Sequence, residues 1–297
     1  MTRAARVRAQ AKINLSLRFL AREVSGYHQI ETIFQRLDLA DEVRVELTAG
    51  SRTLTCGGPM LPPDGLGRAE DNLAWRAAAA YLDAIGSTDG FRIEIVKHIP
   101  SGGGLGGGSA DAGAVLRVLQ HLLGGLTKPQ LFRLAGSLGA DVPFLTQDAN
   151  PLALGWGRGD RLLGLPTLPG TDCLVVVAPF GVNTAAAYGW VAARGAPLPG
   201  AAFMSEGAWE TWAEVGSTAV NEFEEVVFAH HPQLASAFSR LSALGAGVLA
   251  RMSGSGSTLY ALSLDRTPLP SELPELPEGF RLVPTRTATG VEPLSVE

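Results

Sequence analysis

The sequence predicts an α+β protein built as two domains with a cleft between them. Three observations carry that reading. At 297 residues, 46% of them apolar, the chain exceeds what one compact core holds and has the material for two. Its first hundred or so residues alternate apolar and polar side chains with a period of two, the pattern of sheet with one wet face. Beyond about residue 150 a fresh series of strands and helices begins, which predicts a second unit with its own core.

The first unit is expected over residues 1–155. From Val7 to Phe19 the odd positions are apolar or small, while Arg8, Gln10, Lys12, Asn14, Ser16 and Arg18 take the even ones, predicting a half-buried strand or hairpin arm. Val43, Val45 and Leu47, then Phe91, Ile93 and Ile95, repeat that period. A helix is predicted between them, from about Asn72 to Ile85. A second begins near Ser109 and stops at Gly124-Gly125, with Val115, Leu119 and Leu122 on one face. A third opens with Thr127 and Gln130 at capping-box spacing and Pro129 in its first turn, and it ends near Gly139.

Leu152–Trp156 and Cys173–Ala178 read as strands, and the second unit is expected over residues 156–284. Helices are predicted around Ala185–Ala193, Ser205–Val215, Val220–Ala229 and Pro232–Leu244. Two strands, Val248–Met252 and Thr258–Leu264, follow with a glycine-rich turn between them, and a last strand lies near Phe280–Val283. Pro268–Pro277 reads as a loop, and residues 285–297 as a loose polar tail.

Charge and cysteine content narrow the function. Lys and Arg number 24 against 29 Asp and Glu, a net charge of −5, which argues against a nucleic-acid partner. An anionic ligand therefore needs a local site. Cys56 and Cys173 lack the paired spacing of a disulfide framework or metal site, so no protein metal site is predicted and a reducing cytoplasm is expected. Lys12, Asn14 and Arg18 interrupt the stretch after Arg3, Arg6 and Arg8, leaving no signal-peptide core. No segment reads as a membrane span.

The most informative segment is Pro100-Ser101-Gly102-Gly103-Gly104-Leu105-Gly106-Gly107-Gly108-Ser109, which follows a strand and opens directly into a helix. Glycine lets the backbone approach a ligand closely, and the helix start offers unpaired N–H groups and a positive dipole end. Phosphate oxygens use all of these features. Gly102, Gly104 and Gly107 also satisfy a dinucleotide fingerprint, but that loop belongs in an N-terminal βαβ unit with an acidic residue closing the next strand. Neither is evident here. No Lys-Ser or Lys-Thr pair follows the glycines, so a Walker A reading fails, and the protein-kinase triplets are missing. A flexible linker remains the plain alternative, although linkers seldom open into an amphipathic helix.

This loop resembles the second motif of the GHMP kinases, P-x-x-x-G-L-G-S/G-S-S. Ala11-Lys12-Ile13-Asn14-Leu15 resembles the first, and Met252-Ser253-Gly254-Ser255-Gly256-Ser257 the third. Gly26-Tyr27-His28 and Gly139-Ala140-Asp141-Val142-Pro143 are similar to the members whose acceptor is cytidylated, more than to those acting on mevalonate, homoserine or galactose. The resemblance implies an N-terminal domain like ribosomal protein S5 domain 2 and a ferredoxin-like C-terminal domain. It further implies transfer of the ATP γ-phosphoryl group to the 2-hydroxyl of 4-diphosphocytidyl-2-C-methyl-D-erythritol. ATP with Mg²⁺ is then the expected cofactor, a small cytidylated molecule the partner, and a monomer or weak homodimer the assembly.

Residue roles follow from the same resemblance, each beside a plainer reading. Lys12 and Asp141 are the implied cation and general base, although a strand lysine is usually solvated and an Asp before Val142-Pro143 often caps a helix. Residues 100–109 would hold the ATP phosphates, and Asn72 either caps its helix or borders the adenine pocket. Asn14, Tyr27, His28, Thr184 and Tyr188 would meet the cytidylated substrate, with His28 on the base and Tyr188 stacked on it or simply packed in the core. Ser253, Gly254 and Gly256 would support the site or merely turn a hairpin. Three positions depart from the usual pattern: Ser25 stands for Asp, Ala110 for Ser and Gly113 for Ala. The missing hydroxyl at Ala110 leaves Mg²⁺ to arrive with ATP and keep several waters.

Overall fold

The computed structural model describes residues 4–22, 28–194, 209–273 and 275–297. Two sheets, each backed by helices, organise it.

The first sheet is built on a long hairpin. Strand β1 (Ala4–Arg22) pairs antiparallel with β2 (His28–Thr48), their register shifting between Gln10 and Lys12, between Asn14 and Ser16, and between Phe19 and Ala21. These irregularities bracket Lys12 and Asn14, and a bulge is the device by which a strand re-aims a side chain. Beyond β2 lie β4 (Gly90–Val96) and β3 (Arg52–Gly57), and β11 (Ser295–Val296) edges β1, giving the order β11-β1-β2-β4-β3, while the hairpin β5 (Leu152–Gly157) and β6 (Arg161–Gly164) extends from the other half of β2. β3 and β4 run parallel, because α1 (Leu73–Ala84) crosses over between them. Helices α2 (Gly107–Leu123), α3 (Lys128–Leu138) and α4 (Val142–Thr146) complete this layer.

The second sheet has the antiparallel order β10-β7-β9-β8, from β7 (Asp172–Val177), β8 (Val248–Met252), β9 (Leu259–Ser263) and β10 (Arg281–Arg286). Its elements include α5 (Thr184–Ala193), α6 (Trp212–Thr218), α7 (Glu224–His230) and α8 (Pro232–Ser242). Leu174, Val176 and Ala250 on the strands pack with Ala187, Val227, Ala237 and Leu241 on the helices in one apolar cluster.

Four expectations need correction or limits. First, the even positions of β1 from Gln10 to Ser16 are not wet, although Arg6 and Arg8 are exposed as expected. Lys12, Asn14 and Ser16 are buried because the second unit packs over them: the Ser16 hydroxyl donates to the Val220 carbonyl, and Tyr260 Oη donates to Asn14 O at 2.9 Å. Second, residues 285–297 are not a loose tail. The Ala288 N–H donates to Arg36 O, Gln35 Nε2 donates to Ala288 O, and β11 (Ser295–Val296) adds an edge to β1. Polar composition concealed this because strand addition uses backbone groups that every residue carries. Third, a division after residue 155 would cut β5, and the first sheet runs on to Gly164. Fourth, residues 205–208 of the helix expected over 205–215 lie outside the described residues, and within the described part α6 begins only at Trp212.

Candidate functional site

The glycine-rich segment leaves β4 through Lys97, His98 and Ile99 and enters α2 at Gly107. Gly106 holds the N-cap position with φ +72°, a left-handed conformation that favours glycine. A Cβ there would stand 3.1 Å from Lys12 Cγ and 3.3 Å from Leu145 Cδ1, so the absent side chain makes room for Lys12. Gly104 turns the chain at φ +83°, and a Cβ on it would collide with the Ser253 carbonyl. The loop is therefore a packed cradle rather than a linker. Its helix start leaves N–H donors and a positive dipole end facing the cleft.

Lys12 crosses that cradle. Its side chain is 3% exposed, and its Nζ donates to Asn14 Oδ1 at 2.7 Å and lies 3.1 Å from Asp141 Oδ2. The Phe34 ring lies beneath the ammonium, 5.6 Å away at its centroid. Asn14 is fixed in turn by Thr32, whose Oγ1 accepts from Asn14 Nδ2 and donates to Ser16 O. Asp141 stands at the N-cap position of α4, yet its side chain makes no capping bond. It is half-buried and directed at Lys12 instead.

The turn between β8 and β9 closes the other side. Ser253 Oγ donates to Gly104 O at 2.9 Å, and Thr258 N donates to Gly103 O at 3.0 Å, which ties this turn to the glycine-rich segment. A Cβ on Gly254 would lie 3.7 Å from Lys12 Nζ. Asn221 Nδ2 donates to both Met252 O and Gly254 O. Glu224 accepts from Met252 N at 2.8 Å; burial pushes its carboxyl up to about 7, against the opposing pull of that bond and of Arg251.

Next to this turn, Ser255 and Thr184 share a hydroxyl contact of 2.9 Å. Tyr188, one turn further along α5, stacks on His28 with centroids 5.2 Å apart and planes 23° from parallel. Phe19 and Phe223 close an aromatic box around the pair. Burial raises the Tyr188 phenol to about 12, and the charge on Asp141 adds to it, so this box adjoins Asp141. Tyr27 lies outside the described residues.

Two features were not anticipated from sequence. Lys97, Asp41 and Asp111 form a buried cluster in which Lys97 Nζ donates to Asp41 Oδ2 and, at 2.6 Å, to Asp111 Oδ2. Asp41 Oδ1 also accepts from the His98 and Ile99 N–H groups. Burial alone would lower the Lys97 pKa, but the two carboxylates outweigh it and raise it, while burial raises that of Asp111. Lys97 and Asp111 flank the glycines, so the cluster pins both ends of the loop. The signal was present as single charges bordering apolar runs on either side. The second feature is a cavity of about 190 Å³ lined by Leu54, Cys56, Leu61, Leu66, Arg68 and Asn72. Asn72 both caps α1, through its bond from Ala74 N, and forms part of this wall.

The structure thus brings Lys12, Asn14, Asp141, Gly104, Gly106, Ser253 and Gly254 together. His28, Thr184 and Tyr188 stand on the side of the aromatic box, and Asn72 belongs to the separate small cavity. Among the described residues no group of three His, Cys, Asp or Glu could hold a metal, and no helix is long and apolar enough to cross a membrane.

Residues 72–148 match the family described as the GHMP kinases N terminal domain, and residues 204–281 match GHMP kinases C terminal. The chain is 41% identical over 277 residues to the 4-diphosphocytidyl-2-C-methyl-D-erythritol kinase of Solibacter usitatus, covering 89% of this chain and 83% of that protein. It is 38% identical to the kinase of the same name from Pelobacter propionicus, over 92% of this chain and 94% of the relative. A crystal structure of 4-(cytidine 5'-diphospho)-2C-methyl-D-erythritol kinase superposes with a TM-score of 0.73 at 33% identity, across 96% of this chain and 100% of that one. Homoserine kinase from Cytophaga hutchinsonii shares the fold, with a TM-score of 0.66 at 20% identity, over 99% of this chain and 97% of its own.

Proposed function

The chain belongs to the GHMP kinase family and is a small-molecule kinase, and from that premise we propose that it phosphorylates the 2-hydroxyl of 4-diphosphocytidyl-2-C-methyl-D-erythritol with ATP. The observation that carries the catalytic part is the Lys12–Asp141 pair, 3.1 Å apart, held against the glycine-bounded start of α2. Phosphoryl transfer needs little covalent help from a protein. It needs in-line positioning, cationic charge on the transferring group and an acceptor for one proton.

The ATP phosphates lie along residues 100–109, with the N–H groups of the first turn of α2 and the Lys12 ammonium toward the γ-phosphate. The open space beside Gly108, where no atom lies within 4 Å of an added Cβ, fits a polyphosphate passing over the helix start. Mg²⁺ would be brought by the nucleotide phosphates rather than by a protein carboxylate cluster, and would supply charge that offsets them. Asp141 takes the proton of the acceptor hydroxyl, with the Lys12 ammonium 3.1 Å from its Oδ2. The acceptor oxygen forms its bond to phosphorus as the bond to the β,γ-bridging oxygen breaks, and ADP leaves. Asn14, fixed by Thr32, keeps Lys12 aimed.

The aromatic box beside Asp141 supports recognition of a flat base, with His28 bonding its edge and Tyr27, Tyr188 and Thr184 completing the substrate side. The small cavity at Asn72 takes the adenine. Ser253, Gly254 and Gly256 brace the loop. Free Cys56 and Cys173 suit a reducing cytoplasm, and nothing in the reaction calls for more than a monomer or weak homodimer.

Asp141→Asn tests the assignment. The variant should lose about two orders of magnitude or more in turnover while ATP binding stays near that of the parent. Near-parental turnover would remove Asp141 as the base.

A further inference from the structure

Toward the C-terminal end of α2, away from the glycine-rich loop at its start, a cavity of about 670 Å³ opens between α2, the beginning of α3, the end of α4 and residues 291–294. Arg117 lies ten residues beyond Gly107, roughly 15 Å along the helix, so this space is distinct from the phosphate cradle. Its wall places Arg117, His121 and Lys128 beside Leu131, Phe132 and Leu294. Asp148 is the carboxylate on the same wall.

The positive charge behind this cavity is poorly compensated. Arg117 is 9% exposed, and its Nη2 donates to Glu292 O at 2.6 Å. Arg36 is 1% exposed and close enough for the two charges to repel. Arg36 Nη2 donates to the Phe144 and Gln147 carbonyls, and its Nε has no partner. Gln147 is itself part of the cavity wall. Both guanidiniums are therefore held by neutral groups, carbonyls for each and for Arg36 also the Phe144 ring 5.1 Å away, and among the described residues neither forms an ion pair. Asp148 acts on both only at longer range, as Glu292 does on Arg117. Burial, with the charge of Arg117 adding to it, brings the Arg36 pKa down to about 9.

Two buried like charges with no paired carboxylate are costly to keep unless something else uses them. The site has the size of a small-molecule pocket, and its wall combines Arg117, His121 and Lys128 with the apolar Leu131, Phe132 and Leu294. We propose that this cavity binds a small organic anion, its phosphate or carboxylate head on Arg117, His121 and Lys128 and its apolar body against Leu131, Phe132 and Leu294. Arginine matches either head group through paired N–H donors, so the head group is settled by titration.

The test follows the Arg117 Nε–Hε signal and the methyl signals of Leu131 and Leu294 by NMR while phenyl phosphate, benzoate and phenol are added to separate samples. Saturable shifts at these positions with at least one of the two anions, and none with phenol, are expected. Arg117→Gln should weaken that binding about tenfold or more, and Lys128→Ala roughly threefold. Lys128 is exposed, so the second variant keeps the fold and decides the matter even if Arg117→Gln does not fold. Shifts confined to the glycine-rich loop, equal binding of phenol, or curves that Lys128→Ala leaves unchanged would overturn the assignment.

Discussion

Alanine at Gly106 separates backbone cost from catalytic geometry, provided that it is read beside Gly86→Ala. Both glycines sit in the left-handed region, at φ +72° and +66°, where alanine costs about 1–2 kcal/mol. Gly86 follows the end of α1, and a Cβ there meets nothing within 4 Å, so its replacement should show that backbone cost alone. At Gly106 the methyl would stand 3.1 Å from Lys12 Cγ, 3.2 Å from Lys12 Cε and 3.3 Å from Leu145 Cδ1. The lysine stem must then yield by a few tenths of an ångström. Because Lys12 Nζ is held by Asn14 and Asp141, that shift displaces the cation from the place where the transferring phosphoryl group needs it. A misplacement of about 1 Å can cost roughly a hundredfold in rate, so a smaller one should cost about tenfold. Denaturant titration and an ADP-release assay at saturating ATP and acceptor give both quantities. The two variants should lose similar stability, with Gly86→Ala keeping parental turnover and Gly106→Ala losing about tenfold. Equal turnover in both would refute the placement of Lys12 against the loop.

Two other outcomes follow from the site. His28→Ala should raise the KM for the cytidylated acceptor about tenfold, the loss of roughly one hydrogen bond to a base, and leave the KM for ATP unchanged; an unchanged acceptor KM would remove His28 from base recognition. Glu224 supplies a pH signature. Its folded pKa of about 7 lies above its ordinary value of 4.5, so the folded state holds the proton more tightly. Its contribution is fully present below about pH 4.5 and is lost as pH rises through 7, with a slope of up to roughly 1.4 kcal/mol per pH unit. Glu224→Gln should flatten that part of the stability profile in denaturant titrations, and a profile of unchanged slope would count against the buried carboxyl as its source.

What the sequence made legible was chemistry written in adjacent residues. Six glycines followed by a helix pointed to a phosphate cradle rather than a linker, and the alternation around Lys12 and Asn14 puts both on one face of a strand. Lys12 and Asp141 were paired by resemblance, and the structure sets their side chains 3.1 Å apart. What remained hidden depends on residues distant in sequence. The middle of the even face of β1, at Asn14 and Ser16, is buried against Tyr260 and Val220, which no local pattern around Lys12 could announce. The pairing of Ser295–Val296 with β1 rests on backbone groups, so its polar composition misled. Lys97 and Asp111 were not singled out because the carboxylate that joins them, Asp41, comes from β2, far away in sequence. The bonds from Ser253 to Gly104 and from Thr258 to Gly103 likewise cannot be seen within either glycine-rich segment alone.

The central claim is tested most directly by ADP release from MgATP in the presence of 4-diphosphocytidyl-2-C-methyl-D-erythritol, with mevalonate, homoserine and galactose run alongside. Turnover with the cytidylated acceptor and none with the other three is the expected result. Turnover with one of those three in its place would contradict the reading of His28 and the aromatic box, and release with no acceptor at all would contradict the role given to Asp141.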